Sequence, residues 1–239
     1  MKENNLDKCI RANFKMVEND IAAASCMSIF VVLLLMTIFV SFLSLIPLFL
    51  TIVFLYKMYQ KLFYTSVYGE TAATYQSLPA SAAEMTAAKI FVAGLGSIIC
   101  GTTYAVVISI LVMYFGADGI GDIIWAFNQL GGGIAAAVLP IGIISLIVAS
   151  FAQSALIYLA VAAYNSVKHG RKEKMYRVII VAGAYVLNLL LVRSTSFFID
   201  LGIENLLLPE IASIVLSTAV MVVCFRKTVE FMEERYDWN

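Results

Sequence analysis

Charge is what this sequence has least of. Sixteen basic and sixteen acidic side chains make up 13% of its 239 residues, about half the roughly 25% of an average soluble domain. A soluble fold of this length could not cover its surface with so few polar groups, so a soluble enzyme is excluded, and a disordered chain with it. The two signs cancel to zero net charge; a nucleic-acid binder needs a basic excess, and no nucleic-acid partner is expected. Histidine occurs once, at His169 beside Lys168 and Arg171. It reads as a solvated loop residue, and no Ser-His-Asp set can be built around it. The four cysteines, Cys9, Cys26, Cys100 and Cys224, form no CxxC pair, and read as buried or cytosolic thiols. No GxxxxGK[ST] stretch occurs, so no phosphate-cradling loop for ATP is expected, and without an HExxH no metal site is expected either.

What the sequence has in excess is apolar length. Apolar residues make up 62% of the chain, and mean hydropathy is +0.90. Long uncharged runs point to an all-α integral membrane protein, because a helix satisfies its own backbone inside lipid. No cleavable signal peptide is expected, since a polar stretch precedes the first apolar run.

Six spans are expected. Ile21 to Tyr56 holds no charge. As one helix it would be about 54 Å long, against a hydrocarbon core of about 30 Å. It divides into spans over 21–43 and 46–64, with Pro47 suited to the first turn of the second. The third span covers 87–115, and Gly116 to Asp122 is a glycine-rich outer turn. No charge lies between Asp122 and Lys168. A skimming piece over 123–130 and a Gly131-Gly132-Gly133 breaker lead into the fourth span, 135–164. The fifth is 176–192, and an outer loop over 193–205 precedes the sixth, 206–225.

Positive charge orients these spans. With both termini cytosolic, every Lys and Arg except Arg193 falls on the inner side, as the positive-inside rule expects. Two spans between Asp122 and Lys168 would move the Lys168–Arg177 cluster outside, and are rejected. Residues 1–20 form an amphipathic pattern. Leu6, Ile10, Phe14, Val17 and Ile21 fall within about 80° on a helical wheel, with Lys8, Arg11, Lys15 and Glu18 opposite. This predicts an interfacial helix on the inner leaflet of the lipid bilayer.

Inside the spans the polar groups are neutral. Thr102, Thr103, Ser145, Ser150, Gln153, Tyr185 and Asn188 are expected to bond between helices, and Gln153, Tyr185 and Asn188 are candidates to line a cavity. Gly94, Gly96 and Gly101 are expected to permit close helix packing. Gly119-Ile120-Gly121-Asp122 spells the GxGD of presenilin-like proteases. That chemistry needs two carboxylates facing each other within the bilayer. The nearest acid, Asp118, shares the same outer turn, so the protease reading is set aside.

The most specific stretch runs from Tyr68 to Ser81. Glu70 suits the first turn of a short helix. Pro79 stops it, and Ser81 with Glu84 forms a capping box for the next helix. A short helix over 68–79 on the inner face, bracketed by turns, is a docking element. The order Gly69-Glu70, Ser77-Leu78-Pro79, Ser81 and then Lys89 resembles the permeases of type-2 ABC exporters, in which this segment is the coupling helix. The resemblance implies a groove on a separate ABC ATPase that receives Tyr68, Gly69, Glu70, Tyr75, Ser77, Leu78, Pro79 and Ser81. The apolar and aromatic residues usual after the acid are Thr71, Ala72 and Ala73 here, so Tyr68 and Tyr75 take over the groove contacts. It further implies a second permease copy or a sister permease in a two-plus-two complex in the cell membrane. No cofactor belongs to this chain, ATP and Mg being held by the partner ATPase. The expected cargo is amphipathic or hydrophobic, foremost peptides like phenol-soluble modulins. Lipid or drug export and a non-transport scaffold are the alternatives.

Overall fold

A chain this apolar satisfies its backbone locally, and among the described residues it forms helices and no strand. A computed structural model of the chain describes residues 5–37, 45–69, 80–115, 132–167, 173–192 and 207–236. The helices are α1 (Asn5–Thr37), α2 (Leu45–Tyr59), α3 (Ala82–Phe115), α4 (Gly132–Ser166), α5 (Glu173–Val192) and α6 (Leu207–Tyr236). After Tyr59, α2 widens into a π-helical stretch, Gln60–Thr65, and closes with the turn Ser66–Tyr68. Among the described residues, four stretches are long and apolar enough to cross a membrane: Ala82–Thr103, Pro140–Ser166, Lys174–Leu191 and Leu208–Glu234. The fold is therefore all-helical and compatible with a multi-pass membrane protein.

The N-terminal segment differs from expectation. No separate interfacial helix over 1–20 precedes a span over 21–43; α1 runs unbroken from Asn5 to Thr37. Neither Gly nor Pro interrupts it, and another helix already covers its inner face. Cys9, Asn13, Val17, Ile21 and Ala24 are buried, while Phe14, expected on the apolar stripe, is exposed. Cys9 packs on Met85 and Ala88 of α3, with Leu6, Ile10 and Ala80 around them. The buried stripe is thus turned toward α3.

The other helix ends follow from their residues. At the start of α3 the Ser81 amide donates to Glu84 Oε2 at 2.9 Å, and the Glu84 amide donates to Ser81 Oγ at 3.2 Å. That is the expected capping box. A single helix, α4, runs from Gly132 in the glycine breaker past Pro140 to Ser166. Helix α6 continues to Tyr236, beyond the expected end at 225. Nothing stops it there, and Lys227 pairs with Glu230 at 2.6 Å on its solvated last turns.

Helix α4 is the spine, lying along α6 and against α3 and α5, while α1 packs on α3 and α2. Small residues let these helices close. A Cβ on Gly94 would meet the Phe151 ring at 2.2 Å, and one on Gly96 would meet Met58 Sδ at 2.5 Å. A Cβ on Gly101 would meet nothing within 4 Å among the described residues. Thr102, Thr103 and Ser150 do not bond between helices as expected. Each hydroxyl donates to the carbonyl four residues back on its own helix, at 2.8, 2.8 and 2.9 Å, which satisfies it without a partner helix.

Candidate functional site

The end of α2 is where polar contacts between helices concentrate. The π-helical stretch carries one extra residue in its turn, which fans successive side chains toward different neighbours. Tyr59 Oη lies 2.8 Å from Ser97 Oγ of α3 and 3.1 Å from Ser154 Oγ of α4. The tyrosine has one proton for two serines, so one serine must donate to it in place of its own backbone bond. Lys61 Nζ pairs with Asp20 Oδ2 of α1 at 2.6 Å. Phe63 stacks on Tyr158 of α4, with ring centroids 4.5 Å apart and planes 8° from parallel. Ser66 Oγ accepts from Lys89 Nζ at 2.6 Å and itself donates to the Leu62 carbonyl.

Lys89 corrects a further expectation. Counted in the sequence with the inner-loop cations, it is 1% exposed, inside the bundle on α3. Its ammonium has the Ser66 hydroxyl and the face of Tyr158, 5.7 Å from the ring centroid. A buried cation needs such partners. The Cys9 thiol nearby has its pKa raised, first by burial and then by Glu84, against the opposing field of Lys89. Cys9 is therefore a structural thiol rather than a reactive one.

The opposite side of the same helix end lines an open cleft. It holds about 590 Å³ between α2 and α5, with α4 as its floor. Tyr56, Tyr59, Gln60 and Tyr64 form one wall, and Val181, Ala184, Tyr185 and Asn188 the other. Leu156, Val161, Tyr164 and Asn165 lie on the floor. No charged side chain among the described residues lines it. Asn188 Oδ1 is buried and accepts no hydrogen bond among the described residues. The Arg177 guanidinium lies over the Tyr164 ring, 4.7 Å from its centroid. Two of the three cavity candidates, Tyr185 and Asn188, are thus in the cleft. Gln153 lies further along α4, half-buried and outside the lining.

Of the docking residues, Tyr68 is half-buried in the last turn, its ring 5.9 Å from that of Tyr64. Gly69 ends the helix, its amide donating to the Thr65 carbonyl at 3.1 Å. A Cβ there would lie 2.8 Å from Thr65 O and 2.9 Å from Thr65 Cα, so this turn requires glycine. Ser81 is the cap of α3. Glu70, Tyr75, Ser77, Leu78 and Pro79, and most of the expected helix over 68–79, lie outside the described residues, as do the outer segments over 116–130 and 193–205.

Sequence reasoning missed Tyr59, Ser97, Ser154 and the π-helical stretch. A tyrosine and two serines far apart in the chain carry no mark of their meeting. Among known proteins, no family model, no curated protein and no solved structure matches the chain.

Proposed function

We propose that the chain is the membrane-spanning subunit of an ATP-driven exporter of the type-2 ABC kind. In this reading it has six spans and cytosolic termini, and moves amphipathic cargo, foremost peptides, out of the cell. One observation carries it. The end of α2 presents Tyr56, Tyr59 and Tyr64 to the cleft and, a few residues on, runs through the Gly69 turn into the docking-type segment. Cargo site and energy input are then two faces of one element. A cleft of tyrosine rings, aliphatic walls and amides suits a peptide, which brings apolar side chains together with polar backbone groups. ATP hydrolysis belongs to a separate subunit seated against 68–81. A second copy would cover α5, whose Val178, Val181, Val186 and Leu190 are all more than half exposed.

The test separates coupling from folding. Glu70 lies outside the spans, so Glu70→Ala is expected to leave expression and membrane insertion intact. A charge-assisted contact with the ATPase is worth roughly 1.5–3 kcal/mol, so cargo-stimulated ATP hydrolysis and transport should both fall at least tenfold. Pro79→Ala should act likewise by letting the docking helix run on. Wild-type transport by both variants would remove the coupling assignment.

A further inference from the structure

A second groove lies away from the tyrosine cleft, where α3, α4 and α6 meet. It holds about 340 Å³. Its construction begins at Gly94. The missing Cβ lets the Phe151 ring lie down on α3, where it stacks near Phe91, with centroids 6.0 Å apart and planes 19° from parallel. Met221 and Phe225 of α6 close the other side, and Ala87 is small enough to leave the space open. The lining is apolar but for one residue at its end, Arg226. Arg226 is exposed, and no carboxylate among the described residues pairs with it; its neighbour Lys227 is engaged with Glu230.

Depth follows from α6. Above Arg226 the helix is apolar through Val222 and Met221. Below it, the Lys227–Glu230 pair is more than half exposed on both sides. The polar boundary of a bilayer therefore passes at Arg226. Phe91 and Val222 are exposed on the outer surface of the bundle, so the groove opens toward lipid rather than toward the cleft. A site with apolar walls, an opening to the bilayer and one cation at headgroup depth matches a single kind of occupant. We infer that the α3–α4–α6 groove binds an anionic phospholipid, its acyl chain between Phe91, Phe151 and Phe225 and its phosphate on Arg226. Charge complementarity commits the site to an anionic lipid. This needs the chain to cross a bilayer, but not that it exports anything.

Native mass spectrometry of the full-length protein in detergent tests it, with phosphatidylglycerol and phosphatidylcholine of matched chains as the added lipids. The wild type should retain phosphatidylglycerol in preference. Arg226→Gln should lower that retention about fivefold, as expected for one basic group at a membrane surface, and leave phosphatidylcholine unchanged. Arg226→Lys should restore most of it. Ala87→Trp fills the groove and should lower both lipids, with circular dichroism and monodispersity showing that the variant is folded. Lys227→Gln, one residue away but off the groove, should have no effect. Equal losses in Lys227→Gln and Arg226→Gln would reduce the effect to a diffuse basic girdle and overturn the site. So would wild-type retention by Arg226→Gln, or an Ala87→Trp variant that loses a dimer while keeping its lipid. Failure to recruit an ATPase would count against the exporter reading and leave this result standing.

Discussion

A lysine with its ammonium inside a helical bundle needs partners for its charge. Lys89 donates to Ser66 and sets its charge over Tyr158. Ser66 passes the contact on to the backbone of the preceding turn. Removing the side chain leaves a cavity and takes from Ser66 the bond it accepts, its own bond to the Leu62 carbonyl remaining. Lys89→Ala should cost about 2–4 kcal/mol, read as a lower thermal midpoint in detergent. Lys89→Met keeps the stem and removes the charge, and should cost about 1 kcal/mol or less. Equal losses in the two variants would show that the volume of the stem contributes nothing. The residue was visible in the sequence, its setting was not. Its position just before an apolar run reads equally well as a loop cation, and only the packing of α2's end against α3 separates the two. Gly94 and Gly96 were legible, because a glycine within an apolar helix has few uses other than close approach.

At the scale of elements, two local structures bracket the segment proposed to dock an ATPase. The Gly69 turn ends one helix and the Ser81–Glu84 box begins the next. Ser81→Ala should cost about 1 kcal/mol of helix stability. Gly69→Ala forces a methyl group onto the Thr65 backbone, and should cost about 1–3 kcal/mol. Limited proteolysis of the 69–81 region checks both, with faster cleavage expected in each variant. Unchanged cleavage in both would mean the ends do not hold the segment. The capping box could be read from four residues, because it is a local bond pattern. The π-helical stretch could not, since no residue type demands it. The contacts of Tyr59, Lys61, Phe63 and Ser66 with three different helices hold it open, and none of these pairs is close in sequence. The same reason hid the continuity of α1. The amphipathic pattern over 1–20 was real, but whether lipid or α3 covers such a stripe is decided by the fold and not by the stripe.

At the scale of the whole molecule, parity does most of the work. Helix α4 is one helix from Gly132 to Ser166, as expected of a single span between Asp122 and Lys168. In the proposed topology helices α3 and α4 return the chain to the side on which α3 began. Helices α5 and α6 return it there again. In the proposed topology the capping box of α3, the Lys168–Arg177 region and the end of α6 share one side of the membrane, the side given the basic residues. By the positive-inside rule that side would be the cytosolic one. Single cysteines placed in a cysteine-free background test this directly. A membrane-impermeant maleimide added to intact cells should modify cysteines replacing Asp118 and Asp200, and should leave one replacing Arg171 untouched until the cells are opened. Labelling at 171 from outside would invert α4 through α6. It would put the mouth of the α3–α4–α6 groove in the outer leaflet and remove the docking segment from reach of a cytosolic ATPase. The whole functional reading therefore hangs on the side of the membrane that this one loop faces.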